Sequence, residues 1–164
     1  MIVPAAALGV LAAAAGETAT RELGRTLGRS LGARVAERLS ASGGHVRDAS
    51  LEAVLEGLAG ELAIVGLGAL SMERWGRALL VCVSDAPVEG AIGDALLAAV
   101  IEGMLAAASG RELRTLPVAR EGARLRVLVA NVASIERVGE WLGQGLSWGD
   151  ALVRLHAPRA EEAS

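Results

Sequence analysis

A chain that is 52% hydrophobic yet contains no Phe and no Tyr must fill its interior with Leu, Val, Ile and Ala. Each of these buries less area than an aromatic ring, so helices and strands have to approach closely to hide enough apolar surface. The 21 glycines permit that approach, because a residue without Cβ lets two backbones touch. Trp75, Trp141 and Trp148 are the only aromatic residues. A length of 164 residues suits one domain with one core, and the sequence holds neither an internal repeat nor a linker. Residues 1–164 are therefore read as a single domain, with an Ala-rich apolar segment at 1–17, a helical extension at 131–157 and a frayed tail at 158–164.

All 16 basic residues are Arg. With no Lys there can be no Schiff base, which excludes pyridoxal-phosphate and lysine-aldolase chemistry, and a P-loop would lack its phosphate lysine. A net charge of −3 argues against broad nucleic-acid binding, which needs a surplus of positive charge. The scarcity of aromatics removes stacking platforms for single strands. Cys82 is the sole cysteine and lies in the apolar run Leu79-Leu80-Val81-Cys82-Val83. It has no disulfide partner in the chain, and a reducing, cytoplasmic setting is expected. Met1 to Ala15 is almost wholly apolar but lacks the basic start of a signal peptide and falls short of the ~20 residues of a membrane span. It is expected to be a buried or partner-facing helix, without stable membrane insertion.

Thr18 or Thr20 can cap a helix running to about Leu39. Leu23, Leu27, Leu31, Val35 and Leu39 recur every fourth residue along it, and Gly24, Gly28, Gly32 and Ala36 lie beside that stripe. Each interior Gly costs about 1 kcal/mol relative to Ala, so three in register imply either close approach of another helix or compositional drift toward Gly codons. Arg21, Arg25, Arg29, Arg34 and Arg38 decorate the same helix, which disfavours a membrane-dimer motif. They imply an acidic partner or a solvated face paired in part with Glu22 and Glu37.

Ser40 to Ser50 reads as a loop ending in an N-cap at Ser50. A helix follows from Leu51 to about Val65 and stops at Gly66-Leu67-Gly68. Strands are expected at 69–74 and 78–84, a helix at about 92–108, and a hairpin of 112–119 and 123–130 across Glu121-Gly122. Pro117 marks its strand as an edge. Leu125-Arg126-Val127-Leu128-Val129 alternates only at its start, the pattern of a strand buried on both faces further along. Helical segments from Ser134 and from Ser147 to Leu155 close the order α-α-β-β-α-β-β-α. That order means an α+β fold, with a mostly antiparallel sheet of about four strands covered by helices.

Gly145-Leu146-Ser147-Trp148-Gly149 matches the nucleophile-elbow pattern, and Asp150 and His156 follow it in hydrolase order. An elbow requires a preceding buried strand, whereas Ile135 to Leu142 has helical spacing. Ser147 is better read as a helix N-cap. His45, His156 and Cys82 are too widely separated to form a metal set, and Gly66-Leu67-Gly68 lacks the third glycine of a dinucleotide fingerprint. Glu52 and Glu56 have the i,i+4 spacing of a solvated helix face. No catalytic, cofactor or metal site is expected. What remains are surfaces: Leu23, Gly24, Leu27, Gly28, Leu31 and Gly32 on one helix, and Trp141, Leu142 and Trp148 near the C-terminus. Tryptophans of this kind either anchor an interface or close a core.

Leu31-Gly32-Ala33-Arg34-Val35-Ala36-Glu37 resembles the Gly-x-Arg-apolar-x-Glu stretch in the first helix of small subunits of the vesicle-tethering transport protein particle. Gly66-Leu67-Gly68, the strands after it, Ile101-Glu102-Gly103-Met104-Leu105 and the following hairpin resemble the related vinyl-4-reductase domain, over about 23–129. The resemblance implies a helix-mediated dimer with either a small hydrophobic ligand or a tethering role. The cysteine cluster of many vinyl-4-reductase domains is absent, which argues against zinc. Without Tyr, the Tyr-x-Ser-x-Arg motif of the haem nitric-oxide-binding fold cannot be present. The expectation is a non-enzymatic scaffold or regulatory module that associates with itself and with another protein. The alternative is a sensor holding a small hydrophobic molecule between helices and sheet.

Overall fold

The helix Gly90–Ser109 organises the structure, because Leu96, Leu97, Ala98, Val100, Ile101, Met104 and Leu105 are all buried along it. A helix apolar around most of its circumference has to lie inside the molecule. It is long and apolar enough to cross a membrane, but here it is a core element, covered over most of its length. The structure is a computed structural model and describes residues 5–41, 51–76 and 78–156.

Ten elements follow one another: α1 (Ala5–Ala15), α2 (Glu17–Ala41), α3 (Leu51–Ile64), β1 (Ala69–Trp75), β2 (Ala78–Ser84), α4 (Gly90–Ser109), β3 (Arg114–Glu121), β4 (Arg124–Ala130), α5 (Val132–Gly143) and α6 (Trp148–His156). The strands form one antiparallel sheet in the order β1-β2-β4-β3. The α+β class and its element order are as the sequence predicts; the apolar N-terminal segment contributes α1, and the two closing helical segments are α5 and α6. Pro117 does lie on an edge strand, and the pairing slips by a residue between Pro117 and Ala119.

The sheet separates two cores. On one face Val81, Val83, Leu125, Val127 and Val129 meet Leu31 and Val35 of α2, Leu58 and Leu62 of α3, and α4. On the other, Leu80 and Leu128 meet Val138, Ala151 and Leu152 of α5 and α6. The segment expected as an extension at 131–157 is thus integral to the fold, because it covers apolar residues that would otherwise face water. It covers only part of that face: Glu73, Cys82, Arg124 and Arg126 share the face by register, which explains why β4 is polar at its start and apolar at its end.

Neither Thr18 nor Thr20 caps α2. Gly16 takes φ 81°, ending α1, and its carbonyl accepts the first backbone bond of α2 from Thr20 N. Thr20 is buried and its Oγ1 donates to Ala12 O at 2.9 Å, a second bond on a carbonyl that also accepts from Gly16 N at 3.2 Å, which ties α2 back to the end of α1. Gly68 (φ 105°) turns α3 into β1 where a Cβ would meet Ser84 O at 2.5 Å. Helix α2 runs on to Ala41, through the start of the expected loop. The rest of that loop, with His45 and the Ser50 cap, lies outside the described residues, as does the tail from Pro158.

Candidate interaction surface

The glycine stripe of α2 is consumed within the chain. A Cβ at Gly24 would meet Ala99 Cβ at 2.7 Å and Leu96 O at 2.8 Å; at Gly28 it would meet Val100 O at 2.1 Å, and at Gly32 Met104 O at 2.3 Å. From the other side, a Cβ at Gly103 of α4 would meet Arg25 O at 2.3 Å. The two helices touch backbone to backbone, so of the two explanations for the stripe, close approach of a helix accounts for it. Gly24, Gly28, Gly32 and Leu31 are consequently buried, and Leu27 packs on the core. The reading of these residues as an interaction surface needs correcting, since α4 already covers them. Only Leu23, 48% exposed, faces outward.

The arginines of α2 are likewise engaged from inside. Glu61 of α3 is buried and accepts from Arg34 Nε at 2.8 Å and Arg38 Nη2 at 2.6 Å. Glu102 of α4, also buried, accepts from Arg25 Nε at 2.7 Å, Arg114 Nη1 at 3.0 Å and Thr115 N at 3.1 Å. Burial pushes the Glu61 carboxyl up, but hydrogen bonds from Arg34 and Arg38 outweigh it and hold the group below the ordinary carboxylate range. Glu102 behaves alike: burial raises it, while Arg25, Arg114 and the Thr115 N–H bring it down overall. Arg21 pairs with Glu17 and Arg29 with Glu22. These clamps fasten α2 to α3, α4 and β3. The sequence showed the arginines but not their partners, because Glu61 and Glu102 are carboxylates of helices α3 and α4 that also carry Glu52, Glu56 and Asp94, and local spacing does not tell which carboxylate turns inward.

Trp141, Leu142 and Trp148 pack partly buried against the second core. Trp148 meets Trp75 edge-on at 4.8 Å between ring centres, Arg126 lies over Trp148 at 5.6 Å, and Arg154 over Trp141 at 4.8 Å. Trp75 keeps 44% of its surface exposed. Ser147 Oγ accepts from Asp150 N at 3.1 Å and donates to the Asp150 carboxylate at 2.6 Å, a cap at the start of α6. His156 Nδ1 is engaged with Leu152 O at 2.7 Å, and the stretch before Ser147 is helix α5, not a strand. These residues form a cap and a helix end, without the geometry of a triad. Among the described residues no cluster of three or more His, Cys, Asp or Glu is placed to hold a metal. Cys82 is fully buried, and burial pushes its thiol up despite hydrogen bonding from Arg124.

The surface that sequence reasoning left open is α1. Ala5 to Ala15 carries no polar side chain. Its inner side is accounted for: Ala12 is buried, Leu8 packs on the core and a Cβ at Gly9 would lie 3.7 Å from Val88 Cγ1. Val10 and Leu11 are 70% and 59% exposed. A second feature is a cleft of about 490 Å³ where the ends of β2 and β4 meet α5 and α6, lined by Leu79, Leu128, Ala130, Ser134, Arg137 and His156 among others.

No protein-family model matches this sequence, and no curated protein matches it as a relative. The likeness to transport-particle subunits and vinyl-4-reductase domains rests on the short segments quoted above.

Proposed function

We propose that the protein is a non-enzymatic, self-associating interaction module and that α1 makes the contact between copies. The observation that carries this reading is an eleven-residue helix without a polar side chain that lies at the surface. A helix apolar on every side belongs in an interior, and exposed contiguous apolar surface marks a site of association. A second copy is a fitting occupant because two identical apolar helices are self-complementary across a two-fold axis. The outward residues Ala13 to Ala15 are small enough for close approach. The earlier candidate face on α2 cannot serve this role, since α4 already occupies it.

The test is native mass spectrometry on the full chain, alongside a Val10→Glu/Leu11→Glu variant. The expected result is a dimer or higher oligomer that becomes monomeric in the variant with unchanged far-UV circular dichroism. A wild-type monomer at tens of micromolar, or an oligomer indifferent to the two charges, would overturn the reading. If the monomer instead bound lipid vesicles through Val10 and Leu11, α1 would be a membrane-surface helix.

A further inference from the structure

We infer that the cleft between the sheet ends and α5/α6 is a binding site for a small amphipathic monocarboxylate, a short-chain or medium-chain organic acid. The site is separate from α1, and its test does not depend on self-association. The cleft encloses about 490 Å³, within the range of small-molecule sites. Its aliphatic lining on the α5/α6 side of the sheet is Ala78, Leu128, Ala130 and Leu155. Its polar lining is Asn131, Ser134, Arg137 and His156, with no acidic residue among those that line it.

Arg137 sets the charge of the ligand. Its Nε donates to Ala133 O at 3.3 Å, and among the described residues it forms no ion pair, unlike nine other arginines of the chain. The two terminal nitrogens of its guanidinium remain for a planar, two-oxygen acceptor, the geometry that a carboxylate matches. Asn131 uses its Oδ1 to accept from Ser134 N at 2.9 Å, leaving the amide NH2 as a further donor, and the Ser134 hydroxyl adds another. One guanidinium with neutral donors matches a single negative charge. A phosphate dianion would have its second charge unmatched. The aliphatic lining then calls for a hydrocarbon tail, which separates this ligand from an inorganic anion.

Octanoate is the probe. Titration of the full-length protein by calorimetry is expected to show one site per chain, with no binding of octylamine, which carries the same tail and the opposite charge. Arg137→Gln should weaken octanoate at least about tenfold, the loss expected when a charged hydrogen-bond partner is removed. Arg137→Lys should fall between. In the wild type, the amide signals of Ser134 and Arg137 should shift on titration. Absence of binding at millimolar octanoate, equal binding of octylamine, or an Arg137→Gln variant that binds unchanged would each overturn the assignment.

Discussion

Replacing Gly28 by alanine asks whether the α2–α4 contact is as close as the structure has it. Alanine is the better helix former by about 1 kcal/mol, so on an open helix face the substitution stabilises. At Gly28 the new methyl carbon would stand 2.1 Å from Val100 O and 2.9 Å from Met104 N. Ordinary contacts begin near 3.4 Å, and the obstructing atoms are α4 backbone, which cannot swing aside as a side chain can. The helices must part by about 1 Å, a gap that forfeits a quarter to a half of each dispersion contact across it. A buried side chain makes about 40–60 such contacts at ~0.1–0.2 kcal/mol apiece. Weakening those of Leu31 and Met104 alone by a quarter removes about 3–4 kcal/mol. Net of the gain in helix propensity, Gly28→Ala should destabilise by about 2–3 kcal/mol, or roughly 5–10 °C in Tm for a chain of this size.

Gly60 of α3 supplies the control, since nothing lies within 4 Å of where its Cβ would be. Gly60→Ala should stabilise by about 0.5–1 kcal/mol. Urea unfolding followed by circular dichroism measures both variants. A Gly28→Ala protein as stable as wild type, in the same assay that registers the Gly60→Ala gain, would refute the close-packed interface.

The two buried glutamates should make the fold sensitive to acid. Both carboxyls titrate below the ordinary range in the folded chain. The stability they contribute is therefore full above the unfolded carboxylate value near pH 4.3 and is lost as pH falls through the folded values. The denaturation midpoint should drop more steeply below about pH 4.3 in wild type than in a Glu61→Gln/Glu102→Gln variant; equal slopes would contradict the clamps. Glu102→Ala, which leaves Arg25, Arg114 and the Thr115 N–H unmatched, should cost about 2–4 kcal/mol at neutral pH. Ser147→Ala removes only the α6 cap and should cost about 1 kcal/mol. Loss of a hydrolase activity in that variant, with stability intact, would return Ser147 to the role of nucleophile.

Periodicity located nearly every element, because the spacing of Leu, Val and Ile along the chain is a local property. The hairpins were legible at Trp75-Gly76 and Glu121-Gly122, and Pro117 announced its edge position, since a residue without an N–H cannot sit inside a sheet. Helix α5 precedes the elbow-like Gly145 to Gly149, as the local spacing of Ile135 to Leu142 indicated. Helical spacing before it is incompatible with the strand an elbow needs.

What no local pattern could decide is which faces meet. The glycine stripe of α2 read equally as drift or as close packing until α4 was in place. The arginines beside it read as solvated until Glu61 and Glu102, 23 or more residues away in sequence, were brought against them. Charge pairs and helix contacts depend on distance in space, and the chain fixes that only when its core closes. The apolar composition of α1 was plain from the start. That this apolar helix remains at the surface, with its Val10 and Leu11 uncovered, is a property of the tertiary structure alone, because exposure depends on what the rest of the chain leaves uncovered.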